Sequence, residues 1–282
     1  MKVDIICPLY NAEKYILDLN KNILKQKKVD VSSIKYLLTE SKDRTEQILK
    51  ENKLEYKVIK KEDFSHSLVR EKAAFESAGD IVVFITQDIK IEKNDWLYEL
   101  VNPIIKGEAE ACYSRQICKD NSIEKYTREK NYPSKSRIVS KKDIDNLGLN
   151  TFFFSDASSA IKRDVFVELN GYDNKNLPIS EDMYIAYKII QSGYRIKYCA
   201  KSEVVHYHNF SLKEQYNRYK LTGKFFKQNS YLDNYGTNKS GGGLAKYILK
   251  RAIQDKNIKV LINFIPNMAA RFIGMKVGKY EK

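Results

Sequence analysis

A chain of 282 residues, 43% of them hydrophobic, is long and apolar enough for one large domain or two small ones with a sizeable buried core. Its formal charge of +14 points to acidic partners (phosphates, nucleic acid or an anionic membrane surface), or else to a lysine-rich solvated surface. Cys7, Cys112, Cys118 and Cys199 lack paired metal spacing, Asp4 interrupts the short N-terminal apolar run, and no window approaches the ~20 apolar residues of a membrane span. This excludes a zinc module and predicts a reduced, cytoplasmic protein without a signal peptide.

Val3 to Cys7 reads as a strand closed by Pro8-Leu9-Tyr10-Asn11, and Tyr15, Ile16, Leu19, Ile23 and Leu24 then keep helical spacing. Ile34 to Thr39 is a second strand ending in Glu40-Ser41, followed by a helix to about Asn52 and a strand at Tyr56 to Ile59. This β-α-β-α-β order predicts a doubly wound, mostly parallel sheet. A helix follows Phe64-Ser65-His66-Ser67-Leu68-Val69-Arg70, and His66 and Arg70 share a face if it begins there. Ile81 to Thr86 is a fully buried strand closing on Gln87-Asp88. In open α/β sheets ligands sit beyond the carboxyl ends of the strands, so Asp88 either meets a ligand, where it suits Mg²⁺ or Mn²⁺, or only caps a turn.

A helix around Trp96 and a strand at Ala109 to Ser114 come next, and residues 115 to about 150 read as a long polar loop with short helices. Ser180 can cap a helix that starts at Glu181-Asp182 and stops at Gly193. Tyr194 to Cys199 and Glu203 to Tyr207 read as two strands, with Val204, His206 and His208 on one face. Lys239-Ser240-Gly241-Gly242-Gly243 is a linker signal. The two basic amphipathic helices beyond it, broken at Pro266, suit either a membrane surface or packing on the domain or a second subunit.

Several motifs, in order, resemble family-2 glycosyltransferases of the GT-A (Rossmann-like) fold, and most closely the rhamnosyltransferases of bacterial polysaccharide assembly. They are Pro8-Leu9-Tyr10-Asn11, Glu40-Ser41, Phe64 to Arg70, Thr86-Gln87-Asp88, Ser158-Ser159-Ala160, Gly171-Tyr172, Glu181-Asp182 and His206-Tyr207-His208-Asn209-Phe210-Ser211-Leu212. The resemblance covers roughly residues 1 to 225. It implies a glycosyltransferase domain over 1–228, with a nucleotide-binding half at about 1–114, an acceptor half at 150–228, and a C-terminal helical extension at 240–282.

The resemblance puts the nucleotide against Pro8, Tyr10, Asn11, Glu40, Gln87 and Asp88, with His66 and Arg70 as basic groups near the phosphates or, alternatively, on a solvated helix face. Glu40 replaces the usual Asp, Ser67 and Leu68 replace two glycines, and Gln87 replaces the first acid of Asp-X-Asp. Metal binding then rests on Asp88 and His206, although a strand-end histidine can equally bond only to backbone. His208 either meets phosphate or supports a ligand. Asp182 is the general base implied for an inverting single displacement, against the alternative of a first-turn acid favoured by the helix dipole. Glu181, Asp156 and Ser159 belong to the acceptor side.

The implied reaction moves a sugar, with dTDP-L-rhamnose the leading donor and UDP-hexoses behind it, onto a saccharide or lipid-linked saccharide. Cell-surface polysaccharide synthesis is the setting, and the inner face of the membrane and a homodimer are further expectations. Nucleic-acid binding finds no motif to support it. A nucleotidyltransferase lacks its glycine-rich first loop here, and a catalytically dead subunit is the reading that the Glu40 and Gln87 departures suggest.

Overall fold

The computed structural model describes residues 1–281, with the side chains of residues 237–240 outside the description. In chain order the strands and helices are β1 (Lys2–Leu9), α1 (Ile16–Leu24), β2 (Asp30–Thr39), α2 (Thr45–Glu51), β3 (Tyr56–Ile59), α3 (His66–Phe75), β4 (Ile81–Ile85), α4 (Trp96–Ile105), β5 (Ala111–Ile117), α5 (Ile123–Asn131), β6 (Arg137–Val139), α6 (Ile144–Leu147), β7 (Ser158–Lys162), α7 (Arg163–Glu168), α8 (Glu181–Gln191), β8 (Ile196–Val205), α9 (Leu212–Gln228), α10 (Thr237–Gln254) and α11 (Ile258–Tyr280). Two compact units result: Met1–Arg115 with Ser134–Lys141 and Phe152–His206, and Gln116–Pro133 with Lys142–Thr151 and Tyr207–Lys282.

The first unit carries a sheet in the order β3-β2-β1-β4-β7-β5-β8-β6. Strands β3, β2, β1 and β4 are parallel, as the β-α-β-α-β reading requires. Strand β7 then enters antiparallel between β4 and β5, and β6 runs antiparallel to β8. Beyond β4 the sheet is therefore mixed. All five residues of β4 are buried, because the sheet is covered on both faces. Asp4 is also buried, yet its carboxylate accepts from Ser32, Ser77, Ala78 N and Gly79 N, which satisfies a charge inside β1.

Two expected strands merge into one. Lys201 and Ser202 do not end β8, because the Ser202 hydroxyl donates to the Trp96 carbonyl at 3.0 Å and lies 2.8 Å from Ser114 Oγ. A polar residue is thereby accommodated inside a buried strand.

In the second unit, Ile123, Tyr126, Ile248, Ala252 and Val260 form a small core shared by α5, α10 and α11. Contacts of α9 with α11 advance together along both helices, Tyr216 with Gly274 and Lys220 with Gly278, so the two run parallel. A Cβ at Gly223, Gly274 or Gly278 would overlap the backbone of the facing helix, which is why small residues recur there. The glycine run Gly241–Gly243, expected to be a linker, is helical within α10; the side chains of Lys239 and Ser240 lie outside the described residues. Pro266 does not break α11, which is continuous over 23 residues. Contrary to the expectation of no spanning window, α11 is also long and apolar enough to cross a membrane by length and composition.

Candidate active site

The carboxyl ends of β1, β2 and β4 are laced together by side chains. Asn11 adopts a left-handed conformation (φ 48°), its N–H donates to Ser41 Oγ at 2.9 Å, and its side-chain oxygen accepts from Lys42 N at 3.0 Å. Ala12 N donates to Thr45 Oγ1 at 2.7 Å, and Thr45 Oγ1 donates to Asp43 at 2.6 Å. Tyr10 is exposed at the loop's tip, whereas Pro8 is buried within β1. The Glu40 carboxylate is exposed and accepts from Lys61 N at 3.2 Å.

Gln87 spends both ends of its amide on one residue. Its Oε1 accepts from Tyr10 N at 2.7 Å and its Nε2 donates to Tyr10 O at 2.9 Å. Expected as a nucleotide contact, it clamps the loop that carries Tyr10. A carboxylate could not do this, since it has no proton to donate.

Asp88 and His206 are brought together by a short bridge. Lys90 N donates to Val205 O and Val205 N donates to Lys90 O, each at 2.9 Å. This staples the segment after β4 to the end of β8. His206 Nε2 then lies 3.5 Å from Asp88 Oδ1, with both side chains largely shielded. A carboxylate oxygen and an imidazole nitrogen at this separation are donors that suit a divalent transition-metal ion. His208 belongs to the second unit, where its ring stacks on Phe210 at 5.1 Å.

Helix α3 begins at His66, whose ring meets Phe64 edge-on at 5.0 Å. Its inward face organises the segment between α7 and α8. Ser67 Oγ donates to Lys175 O at 2.6 Å and accepts from Leu177 N at 2.9 Å. Glu71 accepts from Tyr172 N and from Asn174 N, holding a turn in which Gly171, at φ 48°, leaves no room for a side chain against the Glu71 carboxylate. Arg70, expected beside phosphates, is 1% exposed and donates to Glu181 Oε1 at 2.7 Å. Sequence reasoning assigned no role to Ser67 or Glu71, and Glu71, set between Arg70 and Lys72, carries no local signal of its burial.

Helix α8 starts at Glu181 as expected, but Ser180 does not cap it. That residue is left-handed (φ 63°) and its side chain makes no capping bond. Asp182 Oδ1 accepts from Met183 N at 2.8 Å. Asp156 is buried and accepts from Ser159 Oγ at 2.7 Å and Tyr172 OH at 2.8 Å. One guanidinium thus faces the carboxyls of Glu181, Asp156 and Asp182. Burial, and then the neighbouring Glu181 and Asp156, push Asp182 well above the ordinary carboxylate range. Burial likewise raises Asp156 despite Arg70 nearby. The helix dipole favours the ionised acid, and here desolvation and like charge outweigh it.

A mixed sheet of this order, with an Asp–His pair beyond β4 and β8 and a crowded acid cluster at the start of α8, has the architecture of the GT-A type. The chain belongs to glycosyl transferase family 2, whose model matches residues 4–169. It is 33% identical to the O-antigen chain rhamnosyltransferase RfbN of Salmonella typhimurium, over 99% of this chain and 90% of that protein. To the O-antigen chain rhamnosyltransferase WbaN of Salmonella anatum it is 34% identical, over 79% of this chain and 72% of that one. Among solved structures, mannosyltransferase PcManGT from Pyrobaculum calidifontis, in complex with GDP-Man and Mn²⁺, has the same fold. The TM-score is 0.65 at 15% identity, covering 99% of this chain and 87% of that one. The protein is therefore a glycosyltransferase, and its fold is GT-A with added C-terminal helices.

Proposed function

We propose that the protein transfers one sugar, with inversion, from a nucleotide-sugar to a saccharide or lipid-linked saccharide in cell-surface polysaccharide synthesis. The leading donor is dTDP-L-rhamnose, a choice supported by the two rhamnosyltransferase relatives that match most of the chain. UDP-hexoses are the alternative. The cytoplasm is the proposed compartment, consistent with four free cysteines.

The observation that carries the chemistry is the Asp88–His206 pair at 3.5 Å. These two residues would hold Mn²⁺ or Mg²⁺, and the solved mannosyltransferase neighbour with Mn²⁺ supports that reading. When bound, such an ion neutralises charge on the departing diphosphate. The loop of Tyr10 and Asn11, with Glu40, is the proposed nucleotide cradle, and Gln87 keeps it in place through Tyr10.

Asp182 is the proposed general base. The acceptor hydroxyl oxygen bonds to the anomeric carbon, its proton passes to Asp182, and the bond from that carbon to the diphosphate oxygen breaks. One displacement inverts the carbon. The raised proton affinity of Asp182 suits this role, because a base works best with a pKa near the operating pH. Arg70 holds Glu181 beside it, with Asp156, Ser159 and Tyr172 as further support.

The test is to supply dTDP-L-rhamnose, UDP-glucose and UDP-galactose in turn with a lipid-linked saccharide acceptor. Released nucleoside diphosphate and the product's anomeric configuration are then followed by NMR. Inverted rhamnosyl product from the first donor supports the reading; transfer with retention sinks it.

A further inference from the structure

Helix α11 turns its apolar side outward. Ile258, Ile262, Ile265, Phe272, Ile273 and Tyr280 are between 52% and 74% exposed, and their spacing sets them on one stripe. The opposite side is committed to the unit. Gly274 and Gly278 abut the backbone of α9, Val260 is buried, and Arg271 pairs with Glu124 at 3.2 Å. An ordinary surface helix shows the reverse polarity. An apolar stripe along a helix of roughly 34 Å, interrupted only by Lys276 among the described residues, is far more than scattered surface residues, and marks an interaction face.

The surrounding charge selects the occupant. Residues 237–282 hold ten basic residues and two acidic ones. Lys246, Lys250, Lys256, Lys259 and Lys276 are exposed, and Lys276 Nζ sits over the Phe272 and Tyr280 rings at 5.7 and 5.4 Å. The acids are already engaged, Asp255 with Lys125 and Arg251, Glu281 with Lys220 and Lys224. A second copy would bring two strongly positive segments face to face, which repels. An anionic surface is attracted.

We propose that the outward face of α11 lies flat on an anionic lipid bilayer, with its lysines on the headgroups. Crossing the bilayer would carry Arg271 and its Glu124 partner into hydrocarbon, so an in-plane helix fits better than a span. The proposal deepens the lipid-linked acceptor reading, on which its purpose rests.

The full chain is co-sedimented with phosphatidylcholine vesicles, with and without phosphatidylglycerol, at low and high salt. Expected is binding to the anionic vesicles only, weakened by salt. Lys259→Gln and Lys276→Gln, both exposed on α11, should each lower partitioning about five-fold, the equivalent of roughly 1 kcal/mol per charge. The triple change Ile262→Ser, Ile265→Ser, Phe272→Ser should lower it more than about ten-fold with the melting temperature unchanged, since these side chains are exposed. Equal binding to both vesicle types, or no effect of the triple change, overturns the proposal. So does a dimer in light scattering that the triple change dissolves without any vesicle binding. Transfer to a short soluble acceptor, followed in parallel, should survive the triple change. Loss of transfer by the unaltered protein with vesicle binding intact would count against the glycosyl reading alone.

Discussion

Gln87 offers the sharpest test of how the donor loop is held. Its amide gives Tyr10 N an acceptor at 2.7 Å and Tyr10 O a donor at 2.9 Å. Gln87→Glu keeps length and the acceptor but removes the donor and sets a carboxylate against a carbonyl oxygen. One neutral hydrogen bond contributes about 0.5–1.5 kcal/mol, and replacing it with a repulsive pair adds a similar amount at a partly exposed position. The loop should then favour its clamped state by about 1–2 kcal/mol less, which weakens nucleotide binding roughly 5- to 30-fold. Turnover at saturating donor should change little, because both ends of the Gln87 amide are spent on Tyr10. Calorimetry with dTDP in Mn²⁺, paired with steady-state kinetics, reads both quantities. Tighter nucleotide binding by Gln87→Glu would refute the clamp, since it would mean that an acid at this position serves the metal directly.

Asp182→Asn should lower turnover by about 10²–10⁴-fold while nucleotide affinity stays put, measured by product formation and calorimetry. A base must be unprotonated, and the Asp182 carboxyl is raised by burial and its acidic neighbours, so activity should rise with pH through a limb above the ordinary carboxylate range; that limb should vanish in the Asn variant. Asp4 is the opposite case: burial works against its charge, but the Ser32 and Ser77 hydroxyls more than offset it and hold its pKa below the usual range. Its contribution to stability is therefore present above the unfolded-state pKa and lost as pH falls through the folded one, and Asp4→Asn should cost at least about 2 kcal/mol at neutral pH in denaturant melts, with a flatter acid limb.

Local pattern made the strand ends readable. The continuous apolar run of β4 placed Asp88 at a strand end, and the His206 motif placed its partner at another. The Lys90–Val205 bridge that joins them was not readable, because a pair of backbone bonds between remote segments leaves no mark on either. The antiparallel insertion of β7 is hidden for the same reason: Ser158–Lys162 is a short buried strand whose direction depends on what flanks it. Composition misled at Gly241–Gly243, three exposed glycines that stay helical ahead of Ile248 and Ala252, through which α10 packs on α5 and α11. Ser67 stands where the resemblance has a glycine, and its hydroxyl pins Lys175 and Leu177, a role that no local pattern marks. Neither a phosphate contact nor a solvated helix face anticipates the burial of Arg70, because its charge is visible in the sequence and its burial is not.

If Asp88 and His206 jointly hold a divalent cation under the nucleotide diphosphate, nucleotide binding must depend on the ion and on both side chains. Titration calorimetry of dTDP into the protein with Mn²⁺, then with EDTA, and then with Asp88→Asn and His206→Ala, tests it most directly. Tight binding in Mn²⁺ that collapses in EDTA and in both variants is the predicted result. Equal affinity with and without the ion, or variants that bind as the unaltered protein does, would contradict it.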